Sequence, residues 1–212
     1  MNCAMCKVLA CAKGDDLNLP KNCPTEKQNI KSNSFKIYKE YEDFYIKSSE
    51  IEADGYGNWV RLKEIGELCI RMSYKKVGIA FCKGLQKEAA IIHSILKNNF
   101  QLEVISVICK VGGIDKSEVG ISENKKLNPE EFEAMCNPIG QAEYLNKMGT
   151  EFNIVVGLCV GHDSLFYKHS NALVTTLIAK DRVLAHNPVG AVYGADKYFK
   201  NKLLSENVDG ED

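Results

Sequence analysis

Apolar and polar positions along this chain follow two different periods, and the place where the period changes marks its organisation. In residues 60–73 the apolar positions 62, 65, 68, 69 and 72 recur at the spacing of one helical face. Residues 76–82 then form a short, nearly unbroken apolar run, which reads as a strand ending at Cys82. Residues 84–98 return to helical spacing, with Leu85, Ala89, Ile92 and Leu96 on one face. A second strand is predicted over 102–108, ending at Cys109, and a third over 153–158, ending at Cys159. A fourth is predicted over 173–179. Between them come a long loop over 112–128, one or two helical turns over 129–134, a helix over 138–148 and a short helix over 163–168. Residues 182–185 are expected to add a short edge strand, followed by a helix from 188 to about 200. Upstream, Phe35, Tyr38 and Tyr45 fall near helical spacing, and 53–57 reads as a turn.

Apolar strands alternating with helices imply a parallel sheet covered on both faces. The expected fold is α/β, a small doubly wound Rossmann-like domain over 75–212. A helical connecting region over 31–74 precedes it, and a cysteine-rich metal-binding segment over 1–30 precedes that. Residues 1–30 show neither period and cannot bury much apolar surface unaided, so that segment needs a staple.

Composition narrows the function. Hydrophobic residues are 45%, charged residues 26% and the formal net charge −1, so the strong basic excess of a nucleic-acid binder is missing. There is no apolar run of the ~18 residues that suggests a membrane span, and the N-terminus does not read as a signal peptide. The expectation is a cytoplasmic protein with no nucleic-acid and no membrane partner. A Gly-x-Gly-x-x-Gly after the first strand, a phosphate-binding Gly-x4-Gly-Lys-Ser/Thr loop and a Gly-x-Ser-x-Gly nucleophile elbow are all missing.

The nine cysteines change the picture most. Their number is odd, and in a reducing compartment spaced cysteines point to metal ligands or reactive thiols. Cys3-x2-Cys6-x4-Cys11-x11-Cys23 places two thiolates on a tight turn and two more where they could close a tetrahedral shell. Zinc and an iron–sulfur cluster both suit four thiolates; free thiols on an arm are the alternative.

A second constellation follows from the fold. Cys82, Cys109 and Cys159 each close a strand, and ligands of open parallel sheets bind outside the strands' carboxyl ends. Cys136 stands just before Asn137-Pro138, a good helix start, whose positive end favours thiolate. His186 precedes a similar Asn187-Pro188 pair, which can also be merely an efficient helix opening. Cys159, His162 and Asp163 cluster in one strand-to-helix turn, where cysteine with histidine suits ligation or nucleophile-plus-base chemistry. Lys110 and Lys116 flank Gly112-Gly113 and could hold an anion or depress a thiol pKa, although solvated lysines are the ordinary case. Asp163 serves more simply as a helix cap. Cys69 falls on an apolar helical face and reads as core.

These residues also carry a resemblance. Cys3-x2-Cys6, 78–82, 106–110, 135–138, 153–163 and 180–188 resemble a cysteine-rich prokaryotic family described as metal-binding and filed as domain of unknown function 1847. The resemblance implies metal binding and names no reaction. The expected function is a metal-binding protein with a cysteine-lined crevice, working as a metal- or thiol-dependent enzyme on a small molecule. Cys82, Cys109 and Lys110 would bind the cofactor or substrate, with Cys136, Cys159, His162 and His186 as catalytic candidates. A metal or redox sensor, or a small-ligand module with a structural zinc, is the alternative.

Overall fold

The computed structural model describes residues 3–27 and 29–203. The chain divides into two units, Met1–Gly57 and Asn58–Asp212. In the first, short 3-10 turns at Cys3–Met5, Ala10–Lys13 and Asp16–Asn18 lead into α1 (Pro24–Lys27), α2 (Ile30–Tyr38) and α3 (Glu42–Gly55). Ala10, Cys23 and Ile51 are its buried apolar residues among those described. Tyr38 and Tyr45 stack across the α2–α3 turn, with ring centroids 5.1 Å apart.

The second unit is a four-stranded, all-parallel sheet in the order β2-β1-β3-β4, built from β1 (Lys76–Phe81), β2 (Glu103–Ile108), β3 (Phe152–Val156) and β4 (Leu173–Ile178). It is a doubly wound, Rossmann-like α/β fold. The strands are rich in valine and isoleucine, whose branched Cβ favours the pleated sheet. The central strands β1 and β3 are buried almost throughout, whereas β2 and β4 alternate or thin out toward solvent, as edge strands do.

Chain order and handedness fix the layers. The β1-to-β2 crossover runs one way across the sheet, and the β2-to-β3 and β3-to-β4 crossovers run the other way. Right-handed connections therefore put α5 (Gln86–Phe100) on one face, and α6 (Pro138–Met148) and α7 (His162–His169) on the other. Accordingly α4 (Arg61–Arg71) packs on α5, and α6 packs on α7. The approach is close. A Cβ at Gly78 in β1 would collide with the side chains of Asn153 and Leu145, so any larger residue there would force them to shift under α6. Cys69 is fully buried in α4, and burial pushes its thiol up to about 12; it is a core residue.

Three expected elements take other forms. Residues 129–134 are not helical. Glu130 has a φ of 65°, and Ala134 pairs antiparallel with Asp115 instead. Residues 182–185 form a turn and no edge strand, because the Asp181 carboxylate accepts the amides of Val183 and Leu184 (both 2.9 Å), leaving them nothing to offer a neighbour. The helix expected over 188–200 is reduced to α8 (Val189–Tyr193) and α9 (Lys200–Leu203), interrupted at Gly194. Among the described residues no helix is long and apolar enough to cross a membrane.

Candidate functional site

Reversal of strand order between β1 and β3 opens a crevice outside their carboxyl ends. There the backbone delivers thiols one after another. Cys82 follows β1, and its amide donates to the Val156 carbonyl (3.1 Å). Cys109 follows β2, and its amide donates to the Phe81 carbonyl (2.8 Å). The two cysteines therefore extend adjacent parallel strands in register. Gln141 of α6, fully buried, spans the same strand ends, donating from Nε2 to the carbonyls of Phe81 (3.2 Å) and Val107 (2.8 Å).

Cys136 lies 27 positions beyond Cys109 in sequence, and the loop between them is folded so as to bring it back. Met135 donates its amide to the Ile114 carbonyl (2.8 Å), and Lys116 donates to that of Glu133 (3.0 Å). Asn137 completes the return. Its amide donates to the Cys109 carbonyl (2.7 Å), its Nδ2 to the Val111 carbonyl (3.2 Å), and its Oδ1 accepts the Gly140 amide (2.8 Å) to cap α6. One asparagine thus starts the helix and ties Cys136 beside Cys109. The loop has its own anchor: Lys126, buried, pairs with Asp115 (3.0 Å) and Glu123 (2.9 Å).

Each crevice sulfur meets a donor. Lys180 Nζ lies 3.3 Å from Cys82 Sγ, Lys110 Nζ 3.5 Å from Cys136 Sγ, and Arg182 Nη2 3.1 Å from Cys159 Sγ. The Lys83 amide lies 3.3 Å from Cys109 Sγ. Cys82 and Cys136 are the neighbours that act most strongly on the ionisation of Cys109. The Cys109 hydrogen bond, aided by the Gly84 amide and Lys180, pulls the Cys82 thiol down to about 4 against the opposing effect of burial. The same Cys109 hydrogen bond, with the charges of Lys110 and His162, pulls Cys136 down to about 5. Cys109, flanked by both and buried, is driven far upward and stays a thiol. Cys109 is thus biased toward the thiol and Cys82 and Cys136 toward thiolate, each of these two beside its own lysine.

Beside it opens a cavity of about 560 Å³. Lys110, Lys116 and Arg182 give it positive charge, Cys136, Cys159 and His162 give it reactive groups, and Ile121, Leu127 and Met135 give it an apolar wall. Lys116 is paired with Glu133, which leaves Lys110 and Arg182 as its cations not paired with a carboxylate among the described residues. His162 Nδ1 is buried without a hydrogen-bond partner among the described residues.

Of the residues singled out in the sequence, Cys82, Cys109, Lys110, Cys136, Cys159 and His162 come together here. His186 is not on the cavity wall; its Nδ1 accepts the Asp181 amide (3.1 Å) and closes the turn after β4. Cys3 and Cys11 are exposed, Cys6 half-buried and Cys23 buried. The Cys6 amide closes a turn onto the Cys3 carbonyl (3.1 Å). Among the described residues no group of three or more His, Cys, Asp or Glu is placed to hold a metal ion. The residue reading passed over Lys180 and Arg182. The signal was available, since both directly follow the fourth strand and so reach the same edge as the cysteines.

A doubly wound α/β domain with a thiol-lined crevice at its switch point is the class of protein that fold and site define. The family model described as "Protein of unknown function (DUF1847)" matches residues 21–177, and the chain belongs to that family. The matched region contains Cys82, Cys109, Cys136 and Cys159 and ends before Lys180 and Arg182. The chain is 50% identical over 206 residues to a protein of Methanocaldococcus jannaschii described as uncharacterized, across 96% of this chain and 98% of that one. No solved structure matches.

Proposed function

We propose that the protein is a thiol-dependent enzyme that binds a small anionic electrophile in the crevice cavity and attacks it with the Cys136 thiolate. One observation carries the reading: Cys136 lies on the wall of a cationic cavity, between Lys110 and the Cys109 thiol. A lysine ammonium and a thiol hydrogen bond stabilise thiolate, which is the nucleophilic form. Lys110 and Arg182 attract the anion, and His162, against the same cavity, is available to carry a proton. The test is alkylation of Cys136 by anionic iodoacetate and neutral iodoacetamide at pH 6, followed by peptide mapping. A free thiol prefers the neutral reagent; Cys136 is expected to prefer iodoacetate, by about tenfold through local concentration of the anion. Preference for iodoacetamide, with Cys136 no faster than free cysteine, would overturn the reading.

The N-terminal unit supports a separate proposal: one metal equivalent, as zinc or an iron–sulfur cluster, on Cys3, Cys6, Cys11 and Cys23. Its support is the four-thiolate donor set and the turn that already joins Cys3 to Cys6. The described side chains do not gather into a coordinating group, so no chemical step is routed through a metal here. Metal and acid-labile sulfide, measured on protein purified without oxygen, should show one equivalent that Cys6→Ser loses. Unchanged metal content and unchanged proteolysis of residues 1–30 in that variant would remove the proposal.

A further inference from the structure

Beyond favouring the Cys136 thiolate, Cys109 stands between two other cysteines at the strand ends. Its sulfur accepts the Lys83 amide (3.3 Å), and its backbone continues the strand beside Cys82 and receives the amide of Asn137, the residue after Cys136. Adjacent sheet strands run about 4.8 Å apart, so Cys82 and Cys109, each one residue past a paired strand end, fall within the Cα separation of about 4.4–6.8 Å that a disulfide needs. The Asn137–Cys109 backbone hydrogen bond of 2.7 Å ties the residue after Cys136 to Cys109. Lysines stand at the two ends of this row of sulfurs, Lys180 on Cys82 and Lys110 on Cys136.

We propose that Cys136, Cys109 and Cys82 form a dithiol–disulfide relay with Cys109 as the shared resolving thiol, and that its substrate is a small anionic disulfide held by Lys110 and Arg182. This rests on Cys136 being the reactive thiolate of the cavity. In the first step Cys136 Sγ attacks one sulfur of the substrate RS–SR. The substrate S–S bond breaks, RS⁻ leaves toward the cationic wall, and Cys136 carries a mixed disulfide. Cys109 then passes its proton to the Cys82 thiolate, its neighbour in register past the adjacent strand end. The new Cys109 thiolate attacks Cys136 Sγ, expelling the second RS⁻ and leaving a Cys136–Cys109 disulfide. The substrate disulfide has gained two electrons and the cysteine pair has lost them. Once Cys82 has passed that proton to the departing RS⁻, its thiolate can attack Cys109 Sγ and break the Cys136–Cys109 bond, giving Cys82–Cys109 and releasing Cys136 as thiolate. An external small dithiol returns the two electrons.

The test is anaerobic reaction of the full chain with stoichiometric oxidised glutathione, followed by thiol release and disulfide mapping. Wild type is expected to release two glutathione thiols per chain and to yield Cys136–Cys109 and Cys82–Cys109 peptides. Cys109→Ser is expected to release one and to stop as a Cys136–glutathione mixed disulfide. Bis(2-hydroxyethyl) disulfide, which is neutral, should react about tenfold more slowly. If wild type also stops at the mixed disulfide, the relay is wrong while Cys136 reactivity stands. If Cys136 forms no adduct with either disulfide but still prefers iodoacetate, the disulfide substrate is wrong. If Cys136 fails with every reagent, the underlying reading falls as well. Equal rates with the two disulfides would overturn the anionic preference. The wild-type disulfide map decides the relay even if Cys109→Ser does not fold.

Discussion

At the scale of single residues, the crevice works by pairing each thiol with something that changes its charge. Cys136 is the clearest case. Burial opposes its ionisation, and the Cys109 hydrogen bond, Lys110 and His162 outweigh burial. The sign follows directly: deprotonation makes the sulfur reactive, so Cys136 alkylation should rise with pH around 5 and be level above about 6, far below the ordinary thiol range. Lys110→Met removes a cation 3.5 Å from the sulfur and should move that midpoint upward by about one unit or more. A profile unchanged by the substitution would mean that Lys110 serves only the Ala134 carbonyl, to which its Nζ also donates (2.6 Å). Cys82, Cys109 and Cys136 were legible as positions in the sequence, and Cys136 also as a thiolate candidate, but the states of Cys82 and Cys109 were not. Whether a thiol ionises depends on the lysine opposite it, and Lys180 lies 98 positions away from Cys82.

At the scale of elements, the strand-to-helix turns determine where the sulfurs point. Gly157 follows β3 with a φ of 67°, and a Cβ there would collide with Leu85. Glycine is needed on both counts, since left-handed φ strains any other residue and the space is taken. Gly157→Ala should cost about 1–3 kcal/mol, measured by urea denaturation, and should also slow Cys136 alkylation if the β1 and β3 ends are forced apart. A stability loss with unaltered thiol reactivity would show that the turn sets stability alone. The four strands and the helices α4 to α7 were read with small shifts at their ends because their apolar periods are strong, whereas the helix expected over 188–200 is broken at Gly194. Residues 129–134 and 182–185 were misread for one shared reason. In both, a side-chain carboxylate, Asp115 or Asp181, takes backbone amides that local propensity would have assigned elsewhere.

For the whole molecule, the ionised crevice links stability to pH. A thiol that titrates near 9 when unfolded and near 5 when folded stabilises the native state most above pH 9, and loses that contribution as pH falls toward 5. The stability difference between wild type and Cys136→Ser should therefore shift in favour of wild type as pH rises from 5 to about 8.5. Denaturant midpoints at several pH values under reducing conditions would measure it. A difference that is flat with pH would mean that Cys136 is not a thiolate in the folded protein. The raised thiols Cys69 and Cys109 do not blur the lower part of this window, since both remain protonated, folded or unfolded, below about pH 8.

By itself the sequence determined the parallel α/β sheet, the strands that end in cysteine and the edge at which a site would form. Those features follow from short-range periodicity and from the rule that open sheets bind at their carboxyl ends. Only the tertiary structure decided which cysteines meet, which lysine or arginine faces each of them, and that His186 closes a turn outside the cavity. Those are contacts between residues far apart along the chain, set by crossover handedness and by the folded 110–137 loop, and no local pattern encodes them.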